Sequence, residues 1–243
     1  MNQRPTRRYR TAGRSLRLFR SFLVEQTDPD RFYGDLADDT VALLSGHTDL
    51  AGSSVLDVGA GPRQFAAAFA GAGALYVGLD VAVGDLVDAA APDVVGVGER
   101  LPFADASLDV VMSSNVMEHV PYPGVVAREM VRVVRPGGLV FISYTAWASP
   151  WGGHETSPWH FLGGEYAARR YERVQGRPPK NRFGTSMFAA RVGDGMRWAR
   201  AQPDLVVEEL SPRYHPDWAR AVVEVPGLRE VATWNLMMVL RRR

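Results

Sequence analysis

The run Ser54-Val55-Leu56-Asp57-Val58, followed at once by Gly59-Ala60-Gly61, constrains this chain more than any other stretch. Its apolar residues have the length of one buried strand, and the glycines stop it. A small-residue helix is predicted over 64–72, and Leu75-Tyr76-Val77-Gly78-Leu79-Asp80 reads as a second strand ending in an acid. Strand, glycine turn, helix and strand make a βαβ unit, which implies a parallel sheet covered on both faces. Further strand-length apolar runs at 94–97, 108–113, 139–144, 205–210 and 234–240 bring the number to seven. Helices are predicted over 14–27, 29–44, 125–134 and 187–201, with a helical linker at 216–223. The expected fold is α/β: a doubly wound, mostly parallel seven-stranded sheet with helices on both faces and extra helices at the N-terminus. No fixed-period repeat is present, which argues against a solenoid.

Composition removes several functions. Cysteine is absent, which excludes disulfides, thiolate metal sites and thiol nucleophiles. Net charge is only +1, so no global field draws the chain to nucleic acid. No apolar run reaches the ~20 residues that cross a bilayer, and no secretory signal follows Met1, so a cytoplasmic location is expected. The positive charge is lopsided: Arg4, Arg7, Arg8, Arg10, Arg14, Arg17 and Arg20 all precede the first acid, Glu25. A solvated tail is the plainer account. The alternative is peripheral contact of this arm with the inner face of an anionic membrane, because Leu16, Leu18, Phe19, Phe22 and Leu23 interleave with the arginines.

In open α/β sheets, ligands bind beyond the carboxyl ends of the strands, beside the first strand, where Gly59-Ala60-Gly61 lies. Glycine lets backbone approach a ligand closely, and the helix start that follows favours a carboxylate or phosphate. A nicotinamide dinucleotide is the rival ligand. Against it, position 64 is Gln rather than the third glycine of that fingerprint, and Asp57 would set a buried acid against a pyrophosphate. A ligand with an ammonium group would welcome Asp57. Asp80 suits a ribose diol with either ligand.

Five motifs in order then carry a family resemblance. Val55-Leu56-Asp57-Val58-Gly59-Ala60-Gly61 and Gly78-Leu79-Asp80 come first. Glu99-Arg100-Leu101-Pro102-Phe103-Ala104-Asp105-Ala106-Ser107-Leu108-Asp109, Asn115-Val116-Met117-Glu118-His119-Val120 and Arg135-Pro136-Gly137-Gly138-Leu139 follow. Together they span about residues 54–145 and resemble class I S-adenosylmethionine-dependent methyltransferases of the type 11 group, whose core is Rossmann-like. The resemblance implies S-adenosyl-L-methionine as cofactor. It implies that Asp57, Gly59 and Gly61 hold the methionine part, Asp80 the ribose, Gly98 and Glu99 the adenine side, and that Asn115 lies near the sulfonium. Two positions depart from the family. Val97 stands where an acid usually accepts from the adenine amino group, and Arg63 replaces the last loop glycine. Arg63 could pair with the cofactor carboxylate or point outward. Gly152-Gly153-His154-Glu155, Lys180-Asn181-Arg182-Phe183-Gly184 and Pro212-Arg213-Tyr214-His215-Pro216 are similar to pieces of uncharacterised actinobacterial methyltransferases, some associated with envelope glycan or glycolipid genes.

The chain thus divides into a basic arm and helical cap at 1–45, a cofactor-binding core at 46–145, a lid insertion at 146–186 and the rest of the sheet at 187–243. The lid is expected from its glycine, proline and aromatic texture, and it carries His154 and His160. An alcohol acceptor must lose a proton, and histidine suits that task near neutral pH, so these two are the candidate catalytic residues. The plainer account has them bonded within loops. His154, Glu155 and His160 lack a recognised ligand spacing, so no metal site is expected. His119 is expected to pack, and Trp147, Trp151 and Trp159 to form the lid core. The turn Ser113-Ser114-Asn115-Val116 lacks the Asn/Asp-Pro-Pro-aromatic motif of enzymes that methylate base amines. A small-molecule, sugar or lipid-linked glycan acceptor is therefore expected, methylated on oxygen and with no nucleic-acid partner. A silent cofactor-binding module and a C- or N-methyltransferase are the alternatives.

Overall fold

The computed structural model describes residues 10–25, 27–81 and 92–243; Arg4, Arg7 and Arg8 of the basic arm lie outside them. Helices α1 (Ala12–Leu23) and α2 (Pro29–Leu44) come first. Thr11 caps α1 by accepting from the Arg14 N–H at 3.1 Å, and Asp28 caps α2 through the Arg31 N–H at 3.2 Å. The sheet then begins with β1 (Ser54–Val58), α3 (Ala66–Gly71), β2 (Leu75–Asp80), β3 (Val94–Val95) and β4 (Leu108–Ser114). It continues through α4 (Pro123–Val133), β5 (Val134–Thr145), α5 (Gly164–Gln175), α6 (Val192–Ala201), β6 (Leu205–Pro212), α7 (Leu228–Ala232) and β7 (Asn235–Arg242).

The seven strands form one sheet in the order β3-β2-β1-β4-β5-β7-β6. β3, β2, β1, β4 and β5 run parallel; β7 is antiparallel to both β5 and β6. The chain turns back at β1, which has β2 on one side and β4 on the other. Side chains alternate between two apolar cores, as the strand period requires. Leu56, Val111, Val140, Ile142 and Met238 join one core with Met130 of α4 and Met196 of α6. Val55, Val110, Met112, Phe141 and Val239 join the other with Leu36 of α2 and Phe69 of α3. Both faces are thereby covered, as the uninterrupted apolar strands predict.

The arm before the sheet is built in by charge. Buried Arg10 pairs with Glu209 of β6 at 2.7 Å, and buried Arg14 grips both oxygens of Asp39 on α2 at 2.6 Å. Leu18 is buried, while Phe19 and Phe22 pack against Trp151. Most of the apolar stripe that suggested an interfacial helix therefore faces the protein's own interior; Leu16 and Leu23 stay exposed. Among the described residues no helix is long and apolar enough to cross a membrane.

Two boundaries and one element differ from expectation for visible reasons. β5 begins at Val134, because Val134 already pairs with Leu108 before the register shifts and Leu139 pairs with Arg241. α6 begins at Val192 rather than 187, because the preceding residues stay extended. There the Phe188 N–H donates to Glu118 O at 2.8 Å and Ala190 O accepts from the Trp147 N–H at 2.9 Å. The segment 146–186 also contains a full helix, α5, ended by the left-handed Gly176, which the surrounding glycines and prolines hid.

Candidate functional site

The glycine loop leaves the C-terminal end of β1 through left-handed backbone at Gly59 (φ 83°), Gly61 (φ 51°) and Arg63 (φ 61°). A Cβ at Gly59 would stand 2.4 Å from Val116 Cγ2, so only glycine lets the turn after β4 close over the loop. Gly61 faces open space, with no atom within 4 Å of where its Cβ would be. Leu79 O accepts from the N–H groups of Gly59 (2.8 Å) and Ala60 (3.1 Å), strapping the loop to β2. Asp80 braces it further by accepting the Gly61 N–H at 2.8 Å. Arg63 turns toward the β3 side and pairs with Asp93 at 3.0 Å, and Asp93 in turn accepts the Gly78 N–H at 2.8 Å.

Asp57 is buried under this loop and accepts the Tyr76 hydroxyl at 2.7 Å. Burial pushes its carboxyl up to about 7; the Tyr76 bond opposes the shift, the Asp80 charge adds to it, and Arg213 opposes it. Arg213 itself is almost fully buried at 1% exposure. Its guanidinium donates to Ser114 Oγ at 2.8 Å, to Ser143 Oγ, and to Thr40 Oγ1 at 2.6 Å, with Phe141 beneath it. It ties α2 to the carboxyl ends of β4 and β5. Nothing local in the sequence marks Arg213, because its partners Thr40, Ser114 and Ser143 all lie on other elements.

The turn after β4 is held tightly. Asn115 is left-handed (φ 58°), its N–H donates to Ser143 O at 2.8 Å, and its side-chain oxygen accepts from Asn235 Nδ2 at 2.7 Å. It also faces the buried Tyr214 hydroxyl, whose pKa is raised by burial and lowered in part by Arg213 and by Asn115. On the other side of the loop, a Cβ at Gly98 would lie 3.0 Å from Val126; Glu99 is half-buried beside it and Val97 is exposed.

Beyond Asn115, a 3₁₀ turn at Met117–His119 presents Glu118 and His119. Glu118 is buried; Oε1 accepts the Thr145 N–H at 2.9 Å, and Oε2 is buried with no hydrogen bond among the described residues. His119 Nδ1 lies 2.7 Å from Ser186 O. His154 meets this pair from the 146–186 segment, its ring edge-on to that of His119 at 5.1 Å. Burial lowers the His154 pKa; Glu118 opposes that and His119 reinforces it. The backbone is tight where His154 emerges. A Cβ at Gly152 would lie 1.9 Å from Trp147 O, one at Gly153 would lie 2.6 Å from the His160 ring, and His154 is itself left-handed (φ 48°).

The two candidate histidines keep different company. His160 is 1% exposed, with Nε2 3.0 Å from Ser149 O and Nδ1 3.3 Å from Ser157 Oγ, and it packs between Trp147 and Phe161. Both ring nitrogens are engaged inside the segment, so the geometry does not offer His160 to an acceptor. Glu155 likewise points inward, accepting from the Asn181 backbone N–H at 2.8 Å and from Asn181 Nδ2 at 2.9 Å. Glu118 and His119, not Glu155 and His160, are the partners of His154. Beside the same 3₁₀ turn, between α4, α6 and β5, lies a cavity of about 160 Å³ lined mainly by Met117, Ala127, Ile142, Tyr144, Trp198 and Met238.

Comparison with known proteins agrees with the fold. Residues 56–142 match the family model described as a methyltransferase domain. An uncharacterized methyltransferase of Mycolicibacterium gilvum is 49% identical over 95% of this chain and 95% of its own length. One from Mycobacteroides abscessus is 46% identical over 96% of this chain and 95% of its own. Among solved structures, an S-adenosylmethionine dependent methyltransferase from Mesorhizobium loti superimposes with a TM-score of 0.57 at 19% identity, covering 85% of this chain and 98% of that one. Another from Aquifex aeolicus gives 0.51 at 13% identity, over 92% and 98%. At such identities the two structures establish a shared fold.

Proposed function

The chain belongs to the methyltransferase family, and from that premise we propose that it transfers the methyl group of S-adenosylmethionine to a hydroxyl oxygen of a small-molecule, sugar or glycolipid acceptor. One observation carries the reading. A buried acid under an open glycine loop shares the carboxyl edge of the sheet with a histidine whose pKa is lowered and a buried glutamate.

The residues present fit the cofactor. Gly61 leaves room for backbone approach, and Asp57 is a buried acid that an ammonium group would compensate. Asp80 braces Gly61, yet each of its oxygens keeps a second lone pair for a ribose hydroxyl. Gly98 and Glu99 border the adenine side, where backbone groups replace the acid absent at Val97. Asn115 stands toward the sulfonium. The bound cofactor supplies an electrophilic methyl carbon on a positively charged sulfur. The protein's part is alignment, which provides much of the rate of an in-line displacement.

On the acceptor side, His154 meets the hydroxyl. Its lowered pKa keeps the imidazole neutral near neutral pH, so a ring lone pair is available. The segment 146–186 acts as the lid that carries it, with His160 holding that lid together. The apolar cavity next to Met117 suits a hydrocarbon portion of the acceptor. Because Arg63 pairs with Asp93 and leaves the loop open, its departure from the family pattern does not favour a silent binding module. Calorimetry should show saturable binding of S-adenosylmethionine or its demethylated product, lost in Asp57→Ala and Asp80→Ala. Labelled cofactor incubated with fractionated lipids and glycans should then mark one fraction. Absence of any cofactor binding would end the proposal, and label on nitrogen or carbon would overturn its acceptor half.

A further inference from the structure

We propose that Glu118, His119 and His154 form a site for one divalent transition-metal ion, placed to hold the acceptor oxygen. Sequence spacing conceals this cluster. The fold assembles it from the turn after β4 and the 146–186 segment, and the three donor atoms lie within 4.8 Å of one another. Donors bound at 2.0–2.2 Å to a common ion stand about 3.4 Å apart, so side-chain rotations of about 1 Å would close the site.

Three features make it more than a chance meeting of polar groups. First, one carboxylate and two imidazoles are the donor set of zinc, iron(II) and manganese rather than calcium or magnesium. Second, His119 is already prepared as a ligand. Its Nδ1 faces the Ser186 carbonyl at 2.7 Å, and a carbonyl can only accept. A proton therefore sits on Nδ1, which leaves Nε2 as the nitrogen to face an ion, the outer-shell arrangement typical of metal-binding histidines. Third, Glu118 is anchored by one oxygen to the Thr145 N–H, while Oε2 is buried with no hydrogen bond among the described residues. Buried carboxylate oxygens are normally compensated, and a cation would compensate this one. Three protein donors leave positions open for water and acceptor, as catalytic sites do.

This inference deepens the methyltransferase reading and rests on it for its chemistry. The ion holds the acceptor oxygen and lowers the hydroxyl's pKa. The hydroxyl gives its proton to water and its oxygen bonds to the methyl carbon. In the same displacement the carbon–sulfur bond breaks with its electron pair left on sulfur, which becomes a neutral thioether. The lone pair that His154 offers in the metal-free site goes to the ion when the ion is bound, and the acceptor oxygen then meets the ion beside His154.

The test uses the untagged full chain, stripped with chelator and titrated calorimetrically with Zn²⁺, Mn²⁺ and Mg²⁺. Expected is one transition-metal ion per chain with micromolar or tighter affinity, and no comparable uptake of Mg²⁺. Co²⁺ should give visible absorption bands of nitrogen ligation. Glu118→Gln, which keeps the acceptor for the Thr145 N–H, and His154→Asn, which tolerates left-handed backbone, should each weaken binding about tenfold or more. Neither should change the S-adenosylmethionine affinity of the metal-free protein, and both should still unfold cooperatively. No stoichiometric uptake up to about 1 mM Zn²⁺ or Mn²⁺ would overturn the proposal, as would equal binding by folded variants. Cofactor titration of the stripped protein is read separately, so loss of the metal site and loss of the methyl-donor site are distinguishable.

Discussion

Replacing Asp57 by Asn should make the ligand-free protein more stable at neutral pH and weaken, without abolishing, its hold on the cofactor. Burial pushes the Asp57 carboxyl up to about 7; Tyr76 opposes this, Asp80 adds to it and Arg213 opposes it. In the unfolded chain the same group titrates at about 3.9. Below that pH both states hold the proton and Asp57 costs nothing. Between about pH 4 and 7 the unfolded state has lost its proton and the native state has not, so stability falls by about 1.4 kcal/mol per pH unit. The loss totals about 4 kcal/mol and levels off above pH 7. Asn at this position still accepts from the Tyr76 hydroxyl and does not titrate. Urea denaturation of both proteins at pH 4.5, 5.5, 6.5 and 7.5 isolates the effect, because every other titrating group is common to the pair. The stability difference should widen in favour of Asp57→Asn by about 1.4 kcal/mol per step and then flatten. A difference that stays constant with pH would refute the reasoning, since it would mean Asp57 ionises in the native state as it does in water.

The same ionisation should show in binding: S-adenosylmethionine affinity should rise with pH from about 6 to 8 in the parent and stay flat in Asp57→Asn, measured by calorimetry. Gly59→Ala should lower stability by about 2–3 kcal/mol and abolish cofactor binding, because the new methyl would meet Val116 at 2.4 Å on left-handed backbone. Arg14→Met should lower stability in denaturant melts by about 1–3 kcal/mol through loss of the two charge-assisted bonds to buried Asp39. His160→Gln should lower the melting temperature while leaving metal uptake and cofactor affinity intact; a change in either would place His160 nearer the chemistry than its bonds to Ser149 and Ser157 indicate.

The parts of the fold that could be read in the sequence are those governed by local rules. Val55, Leu56 and Val58 form a buried strand because nothing polar but Asp57 interrupts them, and Gly59 and Gly61 end it because their backbone is left-handed. The helix over residues 29–44 carries its own start signal in Asp28 and Pro29. Where long-range contacts decide, reading failed. Residues 187–191 look helical, yet their backbone groups are claimed by Glu118 and Trp147 from other elements. Among the described N-terminal arginines, Arg10 and Arg14 look like a solvated arm; their acids, Glu209 and Asp39, are distant in sequence.

The candidate site divides along the same line, and Arg213 shows why. The cofactor half is a sequence-local object, since its glycine loop and two acids sit on adjacent strands in a fixed order. Yet Asp57 does not function in isolation. The buried guanidinium of Arg213 lies close enough to oppose its pKa shift while bonding to Thr40, Ser114 and Ser143, so a residue of the chain's last quarter helps set the charge of a residue in its first. The next residue, Tyr214, is buried beside Asn115 at the turn that leads to Glu118. One short stretch after β6 thereby bears on both Asp57 and the turn that presents Glu118 and His119. Arg213→Met should accordingly raise the Asp57 pKa further and weaken cofactor binding most at low pH. If calorimetry instead showed an equal loss at every pH from about 6 to 8, Arg213 would be a packing residue and the two halves of the site would be electrostatically independent.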